Sequence, residues 1–155
     1  MLIALRRKLD RLRGLTPGQR GIFLESLALL PLFTLGLRTL GLARMQHIFS
    51  GQAVNAPTAS MPLQKIEALA QAVTLAAGQF PFPVSCLARS LLLSWLLMRR
   101  QVANQLRIGV RLDGAVLRAH AWVECEGVPV NDSRDIASRF AAFDGRVHEE
   151  GFRAS

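Results

Sequence analysis

The 155-residue sequence has little cysteine, little lysine, few acidic groups and no long uninterrupted apolar run. Its two cysteines, Cys86 and Cys125, are too few for a disulfide framework. Their spacing fits no zinc pattern, and no second ligand pair accompanies them, so no metal or cofactor is expected. A reducing cytoplasm is the simplest compartment. The apolar stretch Ile22 to Ala43 is interrupted by Glu25 and Arg38, and the uncharged run Ser26 to Leu37 has twelve residues. That is short of the ~20 needed to span a bilayer, so no transmembrane segment is expected. The first fifteen residues lack a signal peptide's order of charge, apolar run and cleavage site. Internal repeats and low-complexity tracts are absent too.

The acidic shortage leaves a net charge of +8, and 17 of the 19 basic residues are Arg. Residues 1–20 carry Arg6, Arg7, Lys8, Arg11, Arg13 and Arg20 against Asp10 alone. Such an excess fits nucleic acid, an anionic surface or an acidic polypeptide, or simply a solvated basic face. Without a nucleic-acid motif or an aromatic stacking series, nucleic acid is not expected as a partner.

Half of the residues are hydrophobic, enough to give a chain of this length one domain with a core. Leu2, Leu5, Leu9 and Leu12 recur at helical spacing. Thr16-Pro17-Gly18-Gln19 is a helix start with a capping box and proline at the first helical position. That helix should run to about Leu30, where Pro31 kinks or breaks it, and a second segment should cover Leu32 to Arg44. Residues 50–60 read as a loop, and a helix over Pro62 to Ala77 closes at Gly78. After Arg100 the period changes to two. Strands are expected over 106–111 and 116–124, joined at Asp113-Gly114, then over 128–132 after Glu126-Gly127, then over 139–143. Helices followed by an antiparallel meander make an α+β pattern. The tail from Asp144 looks loosely held.

Val84 to Arg100 is the organising stretch. Ser85 is a good N-cap, Pro81 and Pro83 block a helix from upstream, and Arg99 and Arg100 suit the far end of the dipole. Leu87, Leu91 to Leu93, Trp95 to Met98 cover nearly every face, which marks a buried helix. Cys86 then lies in the first turn, at the positive end of the dipole, where the nucleophilic thiolate is favoured. Taken alone, the stretch favours a small buried core cysteine, which is what free cysteines usually are.

A thiol nucleophile needs a base and a group that orients the base. His120, inside A-H-A-W-V-E, and Asp132, at the end of the next strand, supply both on neighbouring strands. Leu117, Ala119, Ala121 and Val123 share one face of the strand, and His120, Trp122 and Glu124 the other. The set Cys86, His120, Asp132 follows the logic of a cysteine hydrolase triad. Asp135 is a rival orienter. Cys125 reads as structural, and His47 and His148 stand alone. Trp122 is core or a wall of the cleft. Arg89 and Glu124 could form an ion pair or line a groove.

The runs C-L-A-R-S-L-L-L-S-W-L-L-M-R-R, L-R-I-G-V-R-L-D-G and A-H-A-W-V-E-C-E-G-V-P-V-N-D together resemble the leader peptidases of lasso-peptide biosynthesis, a transglutaminase-like family distantly similar to papain. The likeness covers roughly residues 62–143. It implies one domain over 1–155, with a helical part at 1–60 and a catalytic core at 61–145 in which a buried cysteine helix packs on a small antiparallel sheet. It implies a cysteine protease that frees the core amine of a ribosomal precursor for a separate ATP-using cyclase. Cys86 would be the nucleophile, His120 the base and Asp132, rather than Asp135, its orienter. Some family members carry a winged domain that grips the leader; here the first 80 residues read as helices. The resemblance therefore implies a stand-alone peptidase with a separate leader-recognition protein as partner. The basic, leucine-rich helices of residues 1–44 either dock that protein or an acidic leader, or only cover the core. Amide acyl transfer to an amine uses the same triad. A binding module would not need all three residues.

Overall fold

The computed structural model describes residues 14–50 and 61–143. The expected helix over 2–13, the loop residues 51–60 and the tail with His148 lie outside the described residues.

Helix α1 spans Pro17–Thr39. Its start follows from local chemistry: the Thr16 N–H donates to Gln19 Oε1 at 2.9 Å, and the Gln19 N–H donates to Thr16 Oγ1 at 3.3 Å. Pro31 does not end this helix, contrary to the break allowed from the sequence. Its ring lies on the exposed side, while Leu30 and Phe33 beside it are buried and hold both halves against the core. Packing outweighs the single hydrogen bond that proline removes. The interruption falls at Leu40 and Gly41 instead, where Gly41 takes φ 77°, a conformation other residues rarely adopt. Helix α2 follows over Gly41–Ser50. The uncharged run is short, but the helix as folded has 23 residues and is long and apolar enough, by length and composition, to cross a membrane. In this fold it lies against α2 and, more extensively, two later helices, with Ile22, Phe23, Ser26, Leu30 and Phe33 buried.

Those two helices are α3, Leu63–Ala77, and α4, Cys86–Arg99. Helix α4 is apolar nearly all round and buried accordingly. Leu92, Leu96 and Leu97 are wholly inaccessible and Leu93 nearly so; each such side chain contributes about 1.5–3 kcal/mol. Its last turn is tied to α1 by Arg99, which donates to Glu25 at 2.8 Å.

The sheet is antiparallel, in the order β3-β2-β1-β4. Strand β1 is Gln105–Asp113, β2 Val116–Cys125, β3 Val128–Pro129 and β4 Ala141–Phe143. One face carries Val123 and Cys125 and joins the main core under α4. The other carries Trp122, which forms a second small core with Ile136 and Phe140. Two strand expectations are corrected. The third strand stops at Pro129 instead of reaching Asp132, and Arg139 closes a short helix α5, Ile136–Arg139, so that β4 begins at Ala141.

Candidate active site

Ser85 caps α4, its hydroxyl accepting the Ala88 N–H at 3.1 Å, and this sets Cys86 as the first helical residue. The Cys86 thiol is partly exposed. Cys125, by contrast, is buried. Burial pushes the Cys125 thiol up from its ordinary value of 9.0, and Glu126 adds to the effect, so it stays protonated.

His120 lies on β2 directly opposite Gly109 of β1. Its ring has two aromatic neighbours: Trp122, stacked at 6.4 Å with an interplanar angle of 21°, and Phe140, tilted at 5.3 Å and 32°. Gly109 makes room for this packing. A Cβ there would meet Phe140 Cβ at 2.8 Å and the Trp122 ring at 2.9 Å. Trp122 is fully buried, and its indole N–H donates to Glu124 Oε1 at 2.8 Å. Arg107 donates to the other carboxylate oxygen of Glu124 at 3.0 Å. The buried Glu124 is thus satisfied by Trp122 and Arg107, and Arg89, raised from the sequence, is not its partner. Arg89 Nε is buried without a hydrogen-bond partner among the described residues.

His120 Nε2 and Asp132 Oδ2 are 2.6 Å apart, both side chains about one-quarter exposed. Asp132 Oδ1 accepts the Ser133 N–H at 2.8 Å, which fixes the carboxylate plane. Asp135 stands exposed at the head of α5, its carboxyl held below the usual range first by the Ser133 hydroxyl. Asp132 is therefore the carboxylate that reaches the ring. With Nε2 engaged, Nδ1 is the nitrogen left for a thiol. The structure brings His120 and Asp132 together; among the described residues no hydrogen bond joins Cys86 to either. His47 lies on α2, and no cluster of metal-ligating side chains occurs among the described residues.

A cavity of about 600 Å³ opens beside Asp132, between α1, α3 and the end of β3. Leu15, Ala70, Leu75, Pro129 and Val130 make it mainly apolar, and Glu67, Gln71 and Asn131 add polar groups.

The sequence did not mark Ser90, Asn131, Gly109 or Phe140 as part of this region. For Ser90 there was a signal, a hydroxyl in the middle of a helix apolar on nearly every face. It is wholly buried, donates to the Ala121 carbonyl at 3.0 Å and accepts from Asn131 Nδ2 at 2.9 Å.

A cysteine at a helix N-terminus, a histidine on the neighbouring sheet and a carboxylate just past its edge strand are the residue types that thiol-dependent hydrolases and acyl transferases use. The family model described as the transglutaminase-like superfamily matches residues 29–143, and the chain belongs to that superfamily. No curated protein and no solved structure matches it.

Proposed function

We propose that this protein is a cysteine peptidase that removes the leader from a ribosomally made lasso-peptide precursor. The observation that carries the reading is the His120–Asp132 pair at 2.6 Å in a transglutaminase-like chain whose Cys86 opens the neighbouring helix. The substrate class comes from the sequence blocks shared with lasso leader peptidases.

His120 Nδ1 takes the proton of the Cys86 thiol as the sulfur attacks the last leader carbonyl. The oxyanion forms at the N-terminus of α4, where the Cys86 backbone N–H and the helix dipole face it. Collapse breaks the peptide bond, and His120 returns the proton to the departing core amine. Water, deprotonated by His120, then hydrolyses the thioester and restores the thiol. Asp132 holds the ring in one tautomer and offsets the charge of the imidazolium.

Leader recognition is assigned to a separate protein. Gly21, Leu24, Ala28, Pro31, Leu32 and Leu35 form an exposed, uncharged stripe along α1; Leu24, Leu32 and Leu35 are 63, 61 and 59% accessible. Glu25, the one acidic residue of α1, is paired with Arg99. This stripe is the docking surface we assign to the recognition protein, which would raise the leader's effective concentration at Cys86. The freed amine then passes to the cyclase.

The test is incubation of full-length precursor with the peptidase, with and without the recognition protein, followed by product masses. A free leader acid and a free core amine are expected, with cleavage much faster when the partner is present. Leader joined to an added amine would establish acyl transfer instead. Equal rates without the partner would overturn the two-component reading. A partner effect surviving Leu24→Ser, Leu32→Ser and Leu35→Ser would overturn the docking surface alone.

A further inference from the structure

The three residues of the proposed triad come from three separate pieces of backbone: the start of α4, the middle of β2 and the segment after β3. Their relative placement has to hold within a fraction of an ångström for proton transfer. One side-chain relay, buried at Ser90 and partly buried at Asn131, joins all three pieces. Asn131 Nδ2 donates to Ser90 Oγ at 2.9 Å, and Ser90 Oγ donates to the Ala121 carbonyl at 3.0 Å. The Val123 N–H donates to Asn131 Oδ1 at 2.8 Å. Its polarity is fixed at both ends, because a backbone N–H can only donate and a carbonyl can only accept. Ser90 lies one helical turn from Cys86, Ala121 adjoins His120, and Asn131 adjoins Asp132.

Asn131 also explains why β3 stops early. Strand β3 pairs Glu124 with Pro129, and the Val130 N–H still donates to the Val123 carbonyl at 3.0 Å. A continued antiparallel ladder would set Asp132 opposite Ala121, on the face turned away from His120. Instead the Asn131 side-chain carbonyl takes the Val123 N–H, replacing a main-chain partner. The main chain is then free to leave the ladder, and Asp132 reaches the His120 ring.

We infer that Ser90 and Asn131 are positioning residues that hold the cysteine, histidine and aspartate in one arrangement. This rests on the triad reading, and its test keeps the two apart. Alkylation of Cys86 by iodoacetamide is followed by peptide mass across pH, beside thermal melts, in the full-length wild type, His120→Ala, Asn131→Ala, Ser90→Ala and Ser94→Ala. Ser94 is the control, since it bonds Asn104 at 2.6 Å on the same helix and joins none of the three pieces. Asn131→Ala and Ser90→Ala should displace the pH profile in the direction of His120→Ala and slow alkylation toward the ~10²-fold that an ångström of misplacement costs. Ser94→Ala should lower the melting point and leave the profile in place. If Asn131→Ala does not fold, Asn131→Asp decides: its carboxylate still accepts from Val123 but cannot donate to Ser90, so the profile should move partway. Wild-type profiles in the folded Asn131 and Ser90 variants would overturn the positioning role. Identical profiles for wild type and His120→Ala would overturn the triad reading, and this role with it.

Discussion

Replacing Gly109 with alanine tests the packing that holds His120. The added methyl would lie 2.8 Å from Phe140 Cβ, 2.9 Å from Trp122 Cη2 and 3.0 Å from Trp122 Cζ3. None of these is the loose end of a flexible side chain, and Trp122 is wholly buried with its N–H fixed on Glu124. Overpacking of this kind costs about 1–3 kcal/mol. The lower entropy of an unfolded chain with alanine returns about 0.4–1 kcal/mol. The net loss should be about 1–2 kcal/mol, or roughly 2–8 °C in melting temperature for a chain of this length. Gly21→Ala, on the exposed face of α1 with nothing within 4 Å of the new methyl, should instead stabilise by about 0.5–1 kcal/mol. Because Trp122 and Phe140 both lie against the His120 ring, Gly109→Ala should also loosen the contact with Asp132 and slow Cys86 alkylation in the folded protein. Thermal melts and alkylation rates read both effects. A Gly109→Ala protein as stable as Gly21→Ala would refute the account of why this position is glycine.

Asp132→Asn should lower peptidase turnover clearly, and Asp135→Asn should leave it near wild type; steady-state rates decide between the two carboxylates. Cys125 predicts an alkaline effect. Its folded thiol is held above its ordinary value, so its stabilising contribution is complete below the unfolded value and is lost as pH rises through the folded one. Melts across alkaline pH should therefore decline less steeply for Cys125→Ala than for wild type, measured from each protein's own neutral value.

Much of the fold was legible because local signals and burial agree. The Thr16 and Ser85 caps, the all-round apolar face of α4 and the alternation in β1 and β2 each have one physical reading. Pro31 misled because its cost is local, whereas the buried Leu30 and Phe33 that overrule it act through tertiary packing. The end of β3 could not be read, since Val-Pro-Val-Asn-Asp continues a strand pattern and only the Asn131 side chain, reaching Val123 and Ser90, diverts it. The candidate site was legible as residue types: a thiol at a helix start and a histidine in a half-buried strand. Its supporting parts were not. Gly109 looks like an ordinary strand interruption until Phe140 is seen beside it, and Glu124 finds Arg107 across the strand pair rather than Arg89.

The most direct test of the central claim is the mass of the species formed from a full-length precursor and its recognition protein by wild type, Cys86→Ala and Cys125→Ala. Wild type and Cys125→Ala should release leader acid and core amine, with a transient leader thioester on the Cys86 peptide of the wild type. Cys86→Ala should release neither while keeping its fold. Cleavage by Cys86→Ala, or a thioester on Cys125, would contradict the account.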